Sequence, residues 1–394
     1  MKHFKSLLLP AMTAAACAVI SSCTQEEIVT SNPGRPIEFH LDVQSRGSDK
    51  TIANLDTIWV YADDGAETVF EATPFIKDQY GNFKSEEKIY WPDGKENINF
   101  TAFWPSPERL NTDYNKIICS TTSGYNESEH SYINLIPGAV SIKNETSTHS
   151  GDHYDLVTAT TTTNRATANN GIALSFSHAF AQIEFRAKIG ETAEHTVVIH
   201  SISLAQIKHF GTYSVKEKKW AVIENKVQNI NSAPSNIMTV TKTPTSLTGK
   251  TGPLYIIPSK MNMATYGDGS SVSKTQNFLM VFAKIYKDGK LIIPDANWTE
   301  EERNARTSGG TKRPDVATLL NNADCAVLRI PLGDDIDIHA GNKYIFTIDF
   351  TNGVGYWPKT DPTYPDQPIL PNPISMVDVT VVDWNTATDR DIMP

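Results

Sequence analysis

Few residue groupings in this chain are spaced for chemistry. His149 and His153 flank Asp152 and could ligate a metal, but they sit in a Ser/Gly stretch and no HExxH helix is present. Asp334, Asp335 and Asp337 offer oxygens to calcium, yet the glycine and terminal glutamate of an EF-hand loop are missing. Gly249-Lys250-Thr251 ends like a phosphate-binding loop, with Pro244 where the first glycine belongs. Neither a GxSxG elbow nor a CxxC pair occurs. His178 lies in an apolar alternation with no Ser or Cys to activate, so it reads as a core or sheet-edge histidine. Acidic pairs for glycoside hydrolysis can be drawn anywhere among 45 Asp and Glu residues, so drawing one carries no information. These tests nominate no catalytic residue, no metal site and no cofactor.

Two positions near the start do have defined chemistry. One is the thiol of Cys23 and the other is the basic peptide bond Arg46-Gly47. Residues 1–22 have the form of a secretory signal: Lys2 and Lys5, then an apolar run from Leu7 to Ile20. That run is about 14 residues, within an h-region of ~7–15 and short of the ~20 that cross a bilayer. Ile20-Ser21-Ser22-Cys23 resembles the bacterial lipobox, in which the cysteine is acylated and begins the mature chain. Acyl chains anchor by burying methylenes at ~0.8 kcal/mol each. Thr24-Gln25-Glu26-Glu27 is similar to the acidic tag that sends lipoproteins to the cell surface in Bacteroides-type bacteria. Ser45-Arg46-Gly47-Ser48 is small and polar around its basic residue, as a protease-accessible loop should be.

The body that these positions precede is folded and acidic. A length of 394 residues predicts two or three domains at ~100–200 residues each. The chain is 39% hydrophobic with a net charge of −10 and no basic stripe, which argues against a nucleic-acid partner. Cys17 belongs to the signal, leaving Cys119 and Cys325 in the body, where two buried thiols are a plainer expectation than a disulfide.

The elements are strands. Ile37, Phe39, Leu41 and Val43 alternate with Glu38, His40 and Asp42, a half-buried strand lying ahead of Arg46. Further strands are expected at 56–62, 89–92, 97–105 and 154–160, with polar loops over 106–153. A second block is expected to open at 171, where Ile172, Leu174, Phe176, His178 and Phe180 share one phase and Ile183, Phe185, Ala187 and Ile189 the other. The slip near Ala181-Gln182 predicts a bulge or a change of sheet. Strands follow at 196–204, 252–258, 278–286, 326–331 and 344–350, and the last is 375–384 with Val377, Val379 and Val381 aligned. Only 298–306 reads as helix, with Thr299 as cap and Glu300, Glu301 and Glu302 in its first turn. The Pro-rich, aromatic stretch 353–373 could stack sugar around Trp357 or pack on its own domain. Many short strands with turn signals predict an all-β sandwich architecture.

Several motifs, in order, resemble those of the Bacteroidales fimbrillin-like proteins, subunits of type V pili. They are the lipobox at Cys23, the arginine site at Arg46, Phe100-Thr101-Ala102-Phe103-Trp104-Pro105, and Leu174-Ser175-Phe176-Ser177-His178-Ala179-Phe180. Ile256-Ile257-Pro258, Ala340-Gly341-Asn342-Lys343-Tyr344 and Val379-Thr380-Val381-Val382-Asp383-Trp384 complete the series. The resemblance implies an all-β chain of two tandem transthyretin-like β-sandwich domains, here 47–170 and 171–394, and no enzyme activity. It implies an outer-membrane lipoprotein precursor whose tether or propeptide, 23–46, is removed by cleavage between Arg46 and Gly47 together with the strand 37–43. The implied partners are other pilin subunits by strand addition, the outer membrane through the lipid anchor, and a host protein or glycan ligand. The tail 385–394 is short and polar, so this subunit is expected to accept a strand and offer none, as a tip or accessory pilin would. A surface lipoprotein that binds glycan without polymerising is the alternative.

Overall fold

The computed structural model describes residues 34–42, 50–95, 97–106, 133–135, 155–208, 211–215, 217–222, 227–249, 254–269, 276–307, 325–374 and 377–384. The fold is all-β. Its first sheet has eight strands in the order Ile172–Leu174, Phe39–Leu41, Asn82–Lys84, Thr68–Lys77, Thr57–Asp63, Ile98–Trp104, Val157–Thr163 and Ser177–His178. The two ends of this path lie on one short stretch of chain, 172–178, so the sheet curls round until its edges share a segment. Alternation explains the interior: Ile58, Val60 and Ala62 of one strand and Ile98, Phe100 and Ala102 of its neighbour point inward with Phe75, Phe83, Val157 and Leu174.

Two more sheets form a sandwich. One runs Thr245–Ser246, Ala181–Lys188, Asn342–Asp349 and Asp378–Asp383, with Leu254–Ile256 also on Ala181–Lys188. The other is built on Thr196–Lys208 and Gln276–Lys287, which carry Val227–Ser232, Met238–Thr239, Lys260–Met263, Lys290–Ile293 and Ala326–Ile330. Ile183, Phe185, Phe346 and Ile348 of the first face Ile199, Leu204, Val281 and Leu328 of the second in one continuous core. Between this sandwich and the first sheet lies a separate junction cluster that includes Phe103, Leu156, Phe180, Tyr213, Tyr255 and Trp384. A small sheet of Lys219–Val222, Gly211–Ser214 and Ile133–Leu135 adds to the architecture.

The expected opening of the second block at 171 differs from what is found. Ile172–Leu174 pairs with Phe39–Leu41, and Ser177–His178 pairs with Val157–Thr163, so both belong to the first sheet. The phase slip near Ala181-Gln182 is a change of sheet: Ala181 onward pairs with Leu254–Ile256 and Asn342–Asp349. The helix is Glu300–Arg306, with a full capping box between Thr299 and Glu302. A single helical turn at Lys50–Ala53 had no periodic signal to announce it. Among the described residues no helix is long and apolar enough to cross a membrane.

Candidate functional site

The strand Phe39–Leu41 lies in a slot between two partners rather than at an edge. Its pairing with Asn82–Lys84 is antiparallel, with Phe39 opposite Phe83 and His40 opposite Asn82. Its pairing with Ile172–Leu174 is parallel, with Phe39, His40 and Leu41 opposite Ile172, Ala173 and Leu174. Backbone bonds extend the grip beyond the strand: Ile37 N–H donates to Ile89 O at 2.8 Å, and Asp42 N–H donates to Leu174 O at 2.9 Å. Ile172 N–H donates to Glu38 O at 2.8 Å.

The alternation expected from sequence is realised in burial. Ile37, Phe39 and Leu41 are 1%, 0% and 5% exposed, while Glu38, His40 and Asp42 keep partial contact with solvent. Phe39 meets Phe75 and Phe100 edge-on, at centroid distances of 4.8 Å and 5.3 Å. On the outer face Ser175 Oγ donates to Asp42 Oδ2 at 2.7 Å and Lys84 Nζ lies 3.8 Å from Glu38. Gly171, at φ +88°, lets the neighbouring chain approach closely: a Cβ there would stand 3.2 Å from His40 Nδ1 and 3.4 Å from Glu38 O.

Burying three such side chains stabilises by ~1.5–3 kcal/mol each, roughly 5–9 kcal/mol as an upper estimate. A whole domain is stable by only ~5–15 kcal/mol. The slot therefore cannot stand empty without losing most of its margin.

The other sequence candidates fall elsewhere. Cys23, Arg46, Gly47, Cys119, His149, Asp152 and His153 lie outside the described residues. Cys325 is fully buried. Asp335 accepts from Met263 N–H and pairs with Lys260, both at 3.0 Å, and these two interactions hold its carboxyl below the usual range. No metal-ligating cluster occurs among the described residues. His178 is a core histidine, bonded through Nδ1 to the buried Asp155. Trp357 is 6% exposed and cannot serve as an open sugar platform. It packs on the guanidinium of Arg306, 4.8 Å from its ring, which also lies over Trp298 and Tyr364. Arg306 is itself buried in a bidentate pair with Asp361 at 2.6 Å and 2.8 Å. Sequence reasoning missed that pair, because nothing local links residues so far apart.

The described residues thus form an all-β fold with a tightly seated leading strand and internal ion pairs. The chain belongs to the fimbrillin-like family, whose model matches residues 45–384. Members of that family are structural subunits of the cell surface and its fimbriae, not enzymes. The match begins downstream of Phe39–Leu41. A fimbrial protein from Bacteroides vulgatus shares the fold at a TM-score of 0.51 and 15% identity, over 89% of this chain and 100% of that one. A fimbrial assembly protein from Parabacteroides distasonis aligns over 79% of this chain and 90% of that one, at 11% identity and a TM-score of 0.38. No curated protein matches.

Proposed function

We propose that this chain is a pilus or adhesion subunit whose leading strand is a removable plug. In this reading the chain is exported as a lipoprotein through Cys23 to the outer membrane. Cleavage between Arg46 and Gly47 then frees the segment that carries Ile37, Phe39 and Leu41. A strand from another subunit fills the slot. The observation that supports this is the seating of Phe39–Leu41 between two strands, with Phe39 and Leu41 buried, upstream of the basic bond. Removing it bares two rows of backbone N–H and C=O groups beside an apolar groove, and strand addition satisfies both at once. The chain in this reading has two tandem transthyretin-like β-sandwich domains, 47–170 and 171–394, with Ile172–Leu174 and Ser177–His178 reaching back into the first sheet.

The accept-only role also remains a proposal. Asp378–Asp383 is paired in its own sheet, which fits a last strand that belongs to the fold. Trimming the chain after Trp384 should then leave assembly intact, and loss of polymers would overturn the accept-only role. The ligand of an adhesive subunit, a host protein or a glycan, would be found on the assembled fibre.

The decisive experiment is mass spectrometry of the N-terminus in the surface fraction, before and after an arginine-specific protease. The expected result is acylated Cys23 before, Gly47 after, and concentration-dependent multimers only in the cleaved protein. Cleaved protein that stays monomeric would sink the plug reading, and acylated Cys23 alone in the fibre fraction would favour a permanently anchored protein.

A further inference from the structure

We propose that the segment 172–180 transmits the state of the slot to the carboxy-terminal edge strand, and that His178 and Trp384 form the latch where the signal arrives. The segment touches both places. At its start, Ile172–Leu174 has Phe39–Leu41 as its only ladder partner among the described residues. At its end, Ser177–His178 pairs with Val157–Thr163, Ala179 N–H donates to Leu156 O at 2.7 Å, and Ala179 O accepts from Trp220 Nε1 at 2.7 Å.

Trp384 is fastened to that end in two ways. Its indole stacks on the His178 ring at a centroid distance of 3.7 Å and 12°, with Tyr255 nearly parallel at 5.4 Å. Its backbone N–H donates to Gly341 O at 2.8 Å, and Gly341 N–H donates to Phe180 O at 2.9 Å. Trp384 in turn closes the strand Asp378–Asp383, which among the described residues pairs with Asn342–Asp349 alone and leaves Val381 53% exposed. A strand with so little buried side chain depends on its end anchor, as low-stability edges do. Emptying the slot removes the ladder bonds between Ile172–Leu174 and Phe39–Leu41. Fraying from that point reaches His178 through Ser175 and Phe176, removes the flat surface under Trp384 and loosens the edge strand.

Coupling between two sites is reciprocal, so loosening Trp384 weakens the seat of Phe39 by the same factor. The inference rests on the plug reading only for its biological occasion. The coupling itself is tested in the intact chain, and retention of residues 23–46 on the cell would sink the plug reading without touching it.

Hydrogen exchange read by mass spectrometry on the uncleaved chain makes the test. Phe39→Ala should speed exchange of the Asp378–Asp383 amides about tenfold, within the ~5–150-fold range of allosteric couplings, and leave Thr196–Lys208 unchanged. In a His178→Ala background the last strand should already exchange fast, and Phe39→Ala should add less than about twofold. Trp384→Ala should in turn speed exchange at Phe39–Leu41. Acceleration spread evenly over every strand, or none at Asp378–Asp383, would overturn the proposal. Should Phe39→Ala fail to fold, Leu41→Val perturbs the same seat more gently and is judged by the same pattern.

Discussion

Phe39 is the residue on which the seat of the leading strand depends most. Phe39→Ala removes a fully buried ring and two edge-on aromatic contacts. A Phe-to-Ala truncation in a core costs ~3–5 kcal/mol. Near the midpoint each kcal/mol moves Tm by ~2–4 °C in a unit of 150–250 residues, so the transition of the first sheet should fall by roughly 6–20 °C. The control lies one residue away. Glu38→Ala deletes only a surface pair with Lys84 at 3.8 Å, worth ~0–1 kcal/mol, and should shift Tm by less than about 4 °C. Differential scanning calorimetry of the two variants provides the comparison. The same arithmetic applies in trans. A peptide of residues 36–43 added to protein lacking residues 1–46 should stabilise it by ~2.7 kcal/mol at a hundred times its Kd. Its Phe39→Ala version should bind at least a hundredfold more weakly, since each 1.4 kcal/mol is about a factor of ten. Equal Tm shifts for the two protein variants, or equal stabilisation by the two peptides, would refute the reasoning.

Gly171→Ala should weaken the same seat from the other wall, because the new Cβ meets His40 and Glu38 O at a positive φ; a fall in Tm with faster release of the leading strand is expected, and an unchanged Tm would count against the close approach. Asp361→Ala should destabilise by taking from the buried Arg306 its bidentate partner, with Glu302 at 3.1 Å the carboxylate that remains, whereas Arg306→Met combined with Asp361→Leu should cost less, both read by urea denaturation. Thr299→Ala should cost about 1 kcal/mol through loss of the helix cap, measurable as a lower urea midpoint with unchanged slope. Acid should act through Glu184: burial pushes its carboxyl up, but hydrogen bonds from Arg186 and Lys343 and their charges prevail and hold it below its ordinary 4.5. A carboxyl lowered in this way contributes stability above pH 4.5 that is lost as pH falls through the folded value. Glu184→Gln should therefore flatten the fall of Tm below pH 4.5, and a slope equal to that of the parent chain would remove Glu184 from the account.

The legible parts of this fold are those that a strand carries within itself. The alternation of Ile37, Phe39 and Leu41 was sufficient to assign their burial, and that of Ile98, Phe100 and Ala102 did the same for the neighbouring core. Thr299 and Glu302 announced the helix Glu300–Arg306, because a cap is a contact over three residues. Sheet membership was not legible in the same way. Ile172 and Leu174 alternate as well in the first sheet as they would in the second, and only the parallel partner Phe39–Leu41 decides between them. Trp357 failed as an exposed platform for a related reason: the Arg306 that covers its ring comes from a helix well before it in sequence.

The parallel pairing of Phe39 with Ile172 also sets an order of events. A chain delivered amino-end first presents Phe39 well before Ile172, so the far wall of the slot follows its occupant. The strand that comes first in sequence is among the last to be seated. Until Ile172–Leu174 arrives, Phe39–Leu41 lacks one of its two partners. The charged alternates Glu38 and Asp42 help keep an unpaired leading strand soluble until it docks.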